Sequence, residues 1–188
     1  MISHIRLPGT INVAPLRACL NDNPHLFGEH QERKATYDHQ EMVDIWARYN
    51  AYENFDPNNR AAFNGEHDSV WYPNSVHLTG LRPVVFQIMQ AVQGERLGGV
   101  LITKLPPGGK IKRHTDSGWH AGYYSKFYVA VQNPPGALFG FDDGIISAQD
   151  GEVWWFDNSK PHWVENPTQY DRIAMIVCIK TDLFRQGD

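Results

Sequence analysis

Four side chains of this 188-residue sequence have types and spacings suited to chemistry: His114, Asp116, His162 and Arg172. His114 and Asp116 stand two residues apart in KRHTDSGW. On extended backbone, side chains at i and i+2 point the same way, so both can reach one point in space. His162 adds a second imidazole. Two imidazoles and one carboxylate, with further positions open, form the facial set that holds non-heme iron(II) in oxygenases. A lone His-x-Asp is usually a solvated turn; the second histidine, on a later strand-like segment, lifts the pair above that reading.

Arg172 follows His162 by ten residues and opens RIAMIVCIK. Its planar fork suits a carboxylate through two parallel hydrogen bonds. Its own face of the strand continues as Ala174, Ile176 and Cys178; the other face is Ile173, Met175, Val177 and Ile179. Both faces are apolar, so the strand is buried on both sides, and a buried guanidinium needs an anion. Asp157, Glu165 or a ligand carboxylate can supply it. On SKFYVAVQ, Lys126, Tyr128 and Ala130 share one face, which lines a polar cavity or meets solvent. Thr103, alternating with apolar neighbours in VLITKL, can offer a hydroxyl to the same pocket. Trp119, His120, Tyr123 and Tyr124 follow the metal pair and are candidate substrate contacts. Trp154, Trp155 and Phe156 form either a wall beside the site or core.

These residues must be held by the segments around them. From Leu97 onward the pattern is of short strands at 98–105, 110–114, 125–132, 137–141, 151–156, 162–165 and 171–180. Turn signals divide them: Pro106-Pro107-Gly108-Gly109, Pro134-Pro135-Gly136, Asp142-Asp143-Gly144 and Asp150-Gly151. The expected fold is mainly β, a double-stranded β-helix or cupin-like jelly roll with inward-facing histidines. Helices flank it on the amino-terminal side. Residues 2–7 predict a strand closed by Pro8-Gly9, and 13–20 a helix with Pro15 in its first turn. Residues 25–41 are polar without a period, and 42–50 predict a strand. Residues 51–75 are irregular but aromatic, either a lid over the substrate side or an aromatic-stapled surface loop. A helix follows, capped by Thr79, striped by Leu81, Val84, Val85, Ile88 and Val92, and ended by Gly94. The expected organisation is one domain over 1–188, with amino-terminal elements to residue 96 and a jelly-roll core over 97–180.

Six Trp, eight Tyr and nine Phe favour strands and a lined pocket. A net charge of −4 without a Lys/Arg run speaks against a broad nucleic-acid footprint. No apolar run reaches membrane-spanning length, and the amino terminus lacks a signal-peptide layout. Cys19 and Cys178 read as two reduced thiols, and the expected location is the cytoplasm. Oligomeric state is left open.

The carboxy-terminal half resembles the aspartyl/asparaginyl β-hydroxylase-like group of 2-oxoglutarate-dependent oxygenases, which includes bacterial proline hydroxylases and phage-encoded relatives. The matching stretches are LITKLPPGG, RHTDSG, SKFYVAVQNPP, GEVWWFDN and HWVENPTQYDRIAMIV, with IWARYN as a weaker echo. The resemblance implies His114, Asp116 and His162 as ligands of Fe(II). It implies Arg172 as the group that binds the distal carboxylate of 2-oxoglutarate, with O2 as the other co-substrate. Thr103, Lys126 and Tyr128 match positions that assist the co-substrate. Lys126 stands where the family often has arginine and Tyr128 where it has histidine, so bidentate geometry is lost at Lys126. Asp116 fills the position that a halogenase leaves open, which favours hydroxylation. The implied substrate is an amino acid, free or as a residue of a peptide or protein; a compact domain without a peptide-binding repeat leans toward a small molecule. Two other classes compete. One is a cupin-like metal or small-molecule binding module, which has no need of Arg172. The other is a non-redox metalloenzyme using zinc or manganese.

Overall fold

The alternating pattern of the later segments is realised as two antiparallel sheets in a computed structural model, which describes residues 2–29 and 41–184. Most of the polar stretch 25–41 lies outside the described residues. In chain order the elements are β1 (His4–Arg6), α1 (Ala14–Asp22), β2 (Val43–Tyr49), α2 (Arg60–Phe63), β3 (Val70–Trp71), α3 (Leu81–Ala91), β4 (Arg96–Leu105), β5 (Lys110–His114), α4 (Trp119–Tyr123), β6 (Ser125–Gln132), β7 (Leu138–Phe141), β8 (Gly144–Ile146), β9 (Val153–Phe156), β10 (His162–Glu165) and β11 (Arg172–Lys180). Seven strands form one sheet in the order β1-β9-β6-β11-β4-β2-β3, and four form the other in the order β5-β10-β7-β8. The fold is mainly β and cupin-like. The amino-terminal strands are part of it: β1 pairs with β9, and β2 with β4.

Strand alternation divides the interior into two cores. Ile173, Met175, Val177 and Ile179 of β11 pack with Phe127 and Val129 of β6 under the apolar stripes of α1 and α3. Burying each such side chain contributes about 1.5–3 kcal/mol. The opposite faces of the same strands look into the space between the sheets. There Tyr128, Ala130 and Ala174 of the large sheet meet Ile111, Phe139 and Val164 of the small one. The functional side chains of β6 and β11 therefore lie on the inter-sheet face.

Local details depart from the pattern in the sequence. Gly80, not Thr79, is the N-cap of α3, and no side chain caps it. A Cβ on Gly80 would lie 2.4 Å from the backbone nitrogen of Leu16, so close packing on α1 fixes this residue, while the Thr79 hydroxyl meets Cys19 Sγ at 3.3 Å. The left-handed residue after α3 is Gln93 (φ 50°) rather than Gly94. Gly94 serves close approach instead, since a Cβ there would sit 2.7 Å from Ile179. Strand β8 was not foreshadowed. Residues 51–75 contain α2, β3 and short 3-10 turns, stapled by Trp46, Tyr49, Phe63 and Tyr72. No helix among the described residues is long and apolar enough to cross a membrane.

Candidate metal centre and active site

β5 and β10 are antiparallel neighbours in which His114 stands directly opposite His162. Both side chains therefore leave the sheet on one face, and their ring centroids lie 4.4 Å apart. Asp116 follows two residues after His114, and its N–H donates to the carbonyl of Asn158 at 2.9 Å, which ties the segment after β5 to the β9–β10 connection. His114 Nε2 lies 3.8 Å from Asp116 Oδ1, and His162 Nε2 lies 3.9 Å from Asp116 Oδ2. One ligand atom from each of the three residues falls within 4.8 Å of the others.

The histidine tautomers suit a metal. His114 Nδ1 donates to the carbonyl of Lys112 at 2.7 Å, and His162 Nδ1 to that of Lys160 at 2.8 Å. A carbonyl only accepts, so Nδ1 carries a proton in both rings and Nε2 is the nitrogen left to bind a metal, which is how metal-ligating imidazoles are oriented. Burial pushes the His162 imidazole down to about 4, only partly opposed by Asp116, so it stays neutral. For Asp116, burial pushes upward. The Lys126 ammonium, bonded to Oδ2 at 2.5 Å, and the two imidazoles outweigh it and hold the carboxyl well below its usual range. Two imidazoles with Nε2 turned to one point and an ionised carboxylate are the donor set for a borderline divalent cation, and these residues fit iron(II).

Arg172 lies at the start of β11, 2% exposed. Its Nε donates to Asn133 Oδ1 at 3.0 Å, and the guanidinium stands 5.1 Å from the centroid of the Tyr128 ring. The Tyr128 hydroxyl also donates to Asn133 Oδ1, at 3.3 Å. Burial raises the Tyr128 phenol, with Arg172 opposing, so the phenol remains a neutral donor. The two protein carboxylates considered as partners are engaged elsewhere: Glu165 with Lys110 at 3.7 Å, and Asp157 with Ser159 at 2.6 Å. Among the described residues Arg172 has no carboxylate partner, so a buried positive charge faces the cleft with no protein anion paired to it; the cleft's own carboxylate, Asp116, is bonded to Lys126.

One cleft of about 380 Å³ holds the whole constellation: His114, Asp116 and His162 with Arg172, Thr103, Lys126 and Tyr128. Lys126 thus shares the cleft, but its ammonium is spent on Asp116. Of the four aromatic residues after the metal pair, His120 lines the cleft, whereas Trp119 and Tyr123 stack on each other. Phe156 lines it too, Trp154 packs against the inter-sheet core, and Trp155 belongs to the core under the helices. Arg60 and Asn64, from the 51–75 segment, complete one wall. Sequence reasoning missed Asn133. Its only signal is an amide beside Pro134-Pro135 at the end of β6, where the Asp150 carboxylate accepts its N–H at 2.8 Å.

Comparison with known proteins agrees with this geometry. The family model for aspartyl/asparaginyl β-hydroxylases matches residues 16–181. The chain belongs to the aspartyl/asparaginyl β-hydroxylase family. It is a hydroxylase by that family, and its His114, Asp116 and His162 could hold a metal ion. An oxidoreductase of the 2-oxoglutarate–Fe(II) oxygenase family from Burkholderia pseudomallei superposes with a TM-score of 0.63 at 9% identity, over 98% of this chain and 87% of that one. A Trichoplax adhaerens prolyl hydroxylase, solved with a hypoxia-inducible-factor peptide fragment, gives 0.62 at 10% identity over 96% and 84%. The viral collagen prolyl hydroxylase of Paramecium bursaria Chlorella virus-1 gives 0.55 at 11% identity over 96% of both chains. At these identities the three show the shared fold. No curated protein sequence matches the chain.

Proposed function

We propose that His114, Asp116 and His162 hold the iron, that Arg172 receives the distal carboxylate of 2-oxoglutarate, and that residues 1–188 work as one catalytic unit. The observation that carries this reading is Arg172, buried without a carboxylate partner among the described residues, in the same cleft as the three-ligand cluster. A binding module without turnover gives no reason to bury that charge, because an unpaired guanidinium costs several kcal/mol (order of magnitude). A dicarboxylate co-substrate supplies the missing anion.

Each side chain has a part. The carbonyls of Lys112 and Lys160 keep the histidine lone pairs on Nε2. Lys126 keeps Asp116 ionised. Asn133 and Tyr128 fix the guanidinium plane, and Thr103 offers its hydroxyl beside them. When bound, iron and 2-oxoglutarate together activate O2, delivering one oxygen atom to a substrate C–H bond with succinate and carbon dioxide as co-products. The protein's share is to orient these groups and exclude bulk water.

The substrate is an amino acid, either free or as a residue in a peptide. The peptide-bound form of the Trichoplax relative favours the second. The aromatic 51–75 segment serves as a wall over the substrate side, since Arg60 and Asn64 reach the cleft. The cytoplasm suits a chain whose Cys19 and Cys178 are both free thiols. The test is a mass-spectrometric screen of amino acids and peptides with iron(II), ascorbate and 2-oxoglutarate under air. A product heavier by one oxygen, formed with succinate, is the expected result. Metal binding with no oxidised product and no succinate would refute it.

A further inference from the structure

His120 is the histidine of the cleft that the metal set does not use. Four rings surround its imidazole: Tyr124 at 4.7 Å, Tyr49 at 4.9 Å, His67 at 5.5 Å, nearly parallel at 11°, and Trp119 at 6.2 Å. On its remaining side lies the backbone of β4. Gly99 N–H donates to His120 Nε2 at 3.2 Å, and a Cβ on Gly99 would come within 3.3 Å of the ring. A backbone N–H can only donate, so Nε2 is the acceptor and the proton sits on Nδ1. That Nδ1–H has no partner among the described residues, although the side chain lines the cleft and is only 7% exposed. Burial pushes the imidazole down to about 3, so the ring stays neutral over the working range and the tautomer does not change. A clamped donor that no described protein group takes up is left to water or to a ligand in the cleft.

We propose that His120 Nδ1–H is a fixed hydrogen-bond donor to the prime substrate, selecting substrates that present a carboxylate, carboxamide or peptide carbonyl oxygen at that point of the cleft. The proposal rests on the hydroxylase reading for what the cleft is for, but not for the ring's geometry. His120 is a specificity-determining residue here: it binds substrate and takes no proton from it.

Two substitutions separate the two nitrogens. Asparagine places an amide N–H where Nδ1 stands but gives up the Gly99 bond. Glutamine places an oxygen where Nε2 stands but gives up the cleft donor. The measurement is made without turnover, on protein with 15N-labelled histidine, loaded with zinc(II) and 2-oxoglutarate. The probes are the N-acetyl, C-amide tripeptides Gly-Asp-Gly and Gly-Asn-Gly. His120 is expected to resonate as the Nδ1–H tautomer from about pH 5 to 9, and its Nδ1 signal to shift as a probe binds. Affinity for that probe should fall at least about tenfold in His120→Gln and less than about threefold in His120→Asn, the scale of one lost hydrogen bond. An Nε2–H tautomer, binding of neither probe, or His120→Gln binding as tightly as wild type would overturn the proposal. A wild-type protein that makes no succinate with iron(II) would instead count against the hydroxylase reading, because the tautomer and zinc-loaded binding data do not depend on turnover.

Discussion

His114 and His162 are cross-strand partners in the β5–β10 ladder, so the spacing of the two candidate metal imidazoles is set by sheet register rather than by a loop. The register on the other side of β10 is held by Trp163, which stands opposite Gly140 of β7. A Cβ on Gly140 would lie 2.3 Å from the indole of Trp163. The ring occupies the space that any side chain would need.

Gly140→Ala should therefore destabilise the protein by about 1–3 kcal/mol, the usual cost of overpacking. It should also weaken metal binding, because β10 must shift to admit the methyl group and His162 moves with it. Thermal melts and a metal titration check both. Unchanged stability would mean that Trp163 moves freely and does not hold the register.

Arg172 depends on Asn133 for its orientation. Asn133→Ala should raise the KM for 2-oxoglutarate about tenfold, the scale of one hydrogen bond to a charged group. Arg172→Met should raise it by more than about 30-fold, with metal affinity close to wild type. Steady-state kinetics in 2-oxoglutarate, with metal binding measured separately, distinguish this from general damage to the site.

Much of this was legible in the residues. The two apolar faces of β11 and the alternation of β6 gave the correct inward and outward sets, because strand geometry is strictly two-residue periodic. The three metal candidates and Arg172 do converge on one cleft. Asn133 was not legible. Its partner is 39 residues away, and a register irregularity between Ile173 and Ala174 shifts the pairing of β11 with β6. The short elements within 51–75 were hidden because their stability comes from the ring cluster around Trp46 and Phe63, not from local propensity. Gly80 and Gly94 were misread as helix punctuation or passed over, since a close backbone approach leaves no signature in a single sequence.

Lys126→Met should shift the pH dependence of metal binding. Asp116 is held low in the native protein by Lys126 and the imidazoles. A carboxylate held low contributes stability that is present above its unfolded value and is lost as pH falls through its folded value. Without the ammonium the folded value rises, so metal release on acidification should begin at a higher pH than in wild type. Metal affinity followed down a pH series checks this, and superimposable curves would remove Lys126 from the site.

His120 and His162 are buried neutral, with values pushed down to about 3 and about 4 from an ordinary 6.5. As pH falls below 6.5, the unfolded chain binds protons at these positions while the folded one does not. The metal-free protein should therefore lose stability between pH 6.5 and about 4, each histidine contributing at most about 1.4 kcal/mol per pH unit. His120→Asn should show a shallower decline in melting temperature over that window. Equal slopes would mean that His120 is not buried in the neutral form.

In the proposed site three protein ligands hold an iron to which 2-oxoglutarate is also bound, with Arg172 at its far end. Anaerobic titration with iron(II) and 2-oxoglutarate, followed by the visible charge-transfer absorption of a chelated keto acid, tests it most directly. The band should develop in wild type, require more 2-oxoglutarate in Arg172→Met, and be lost in His162→Ala. A band that persists in His162→Ala, or none in wild type, would contradict the account.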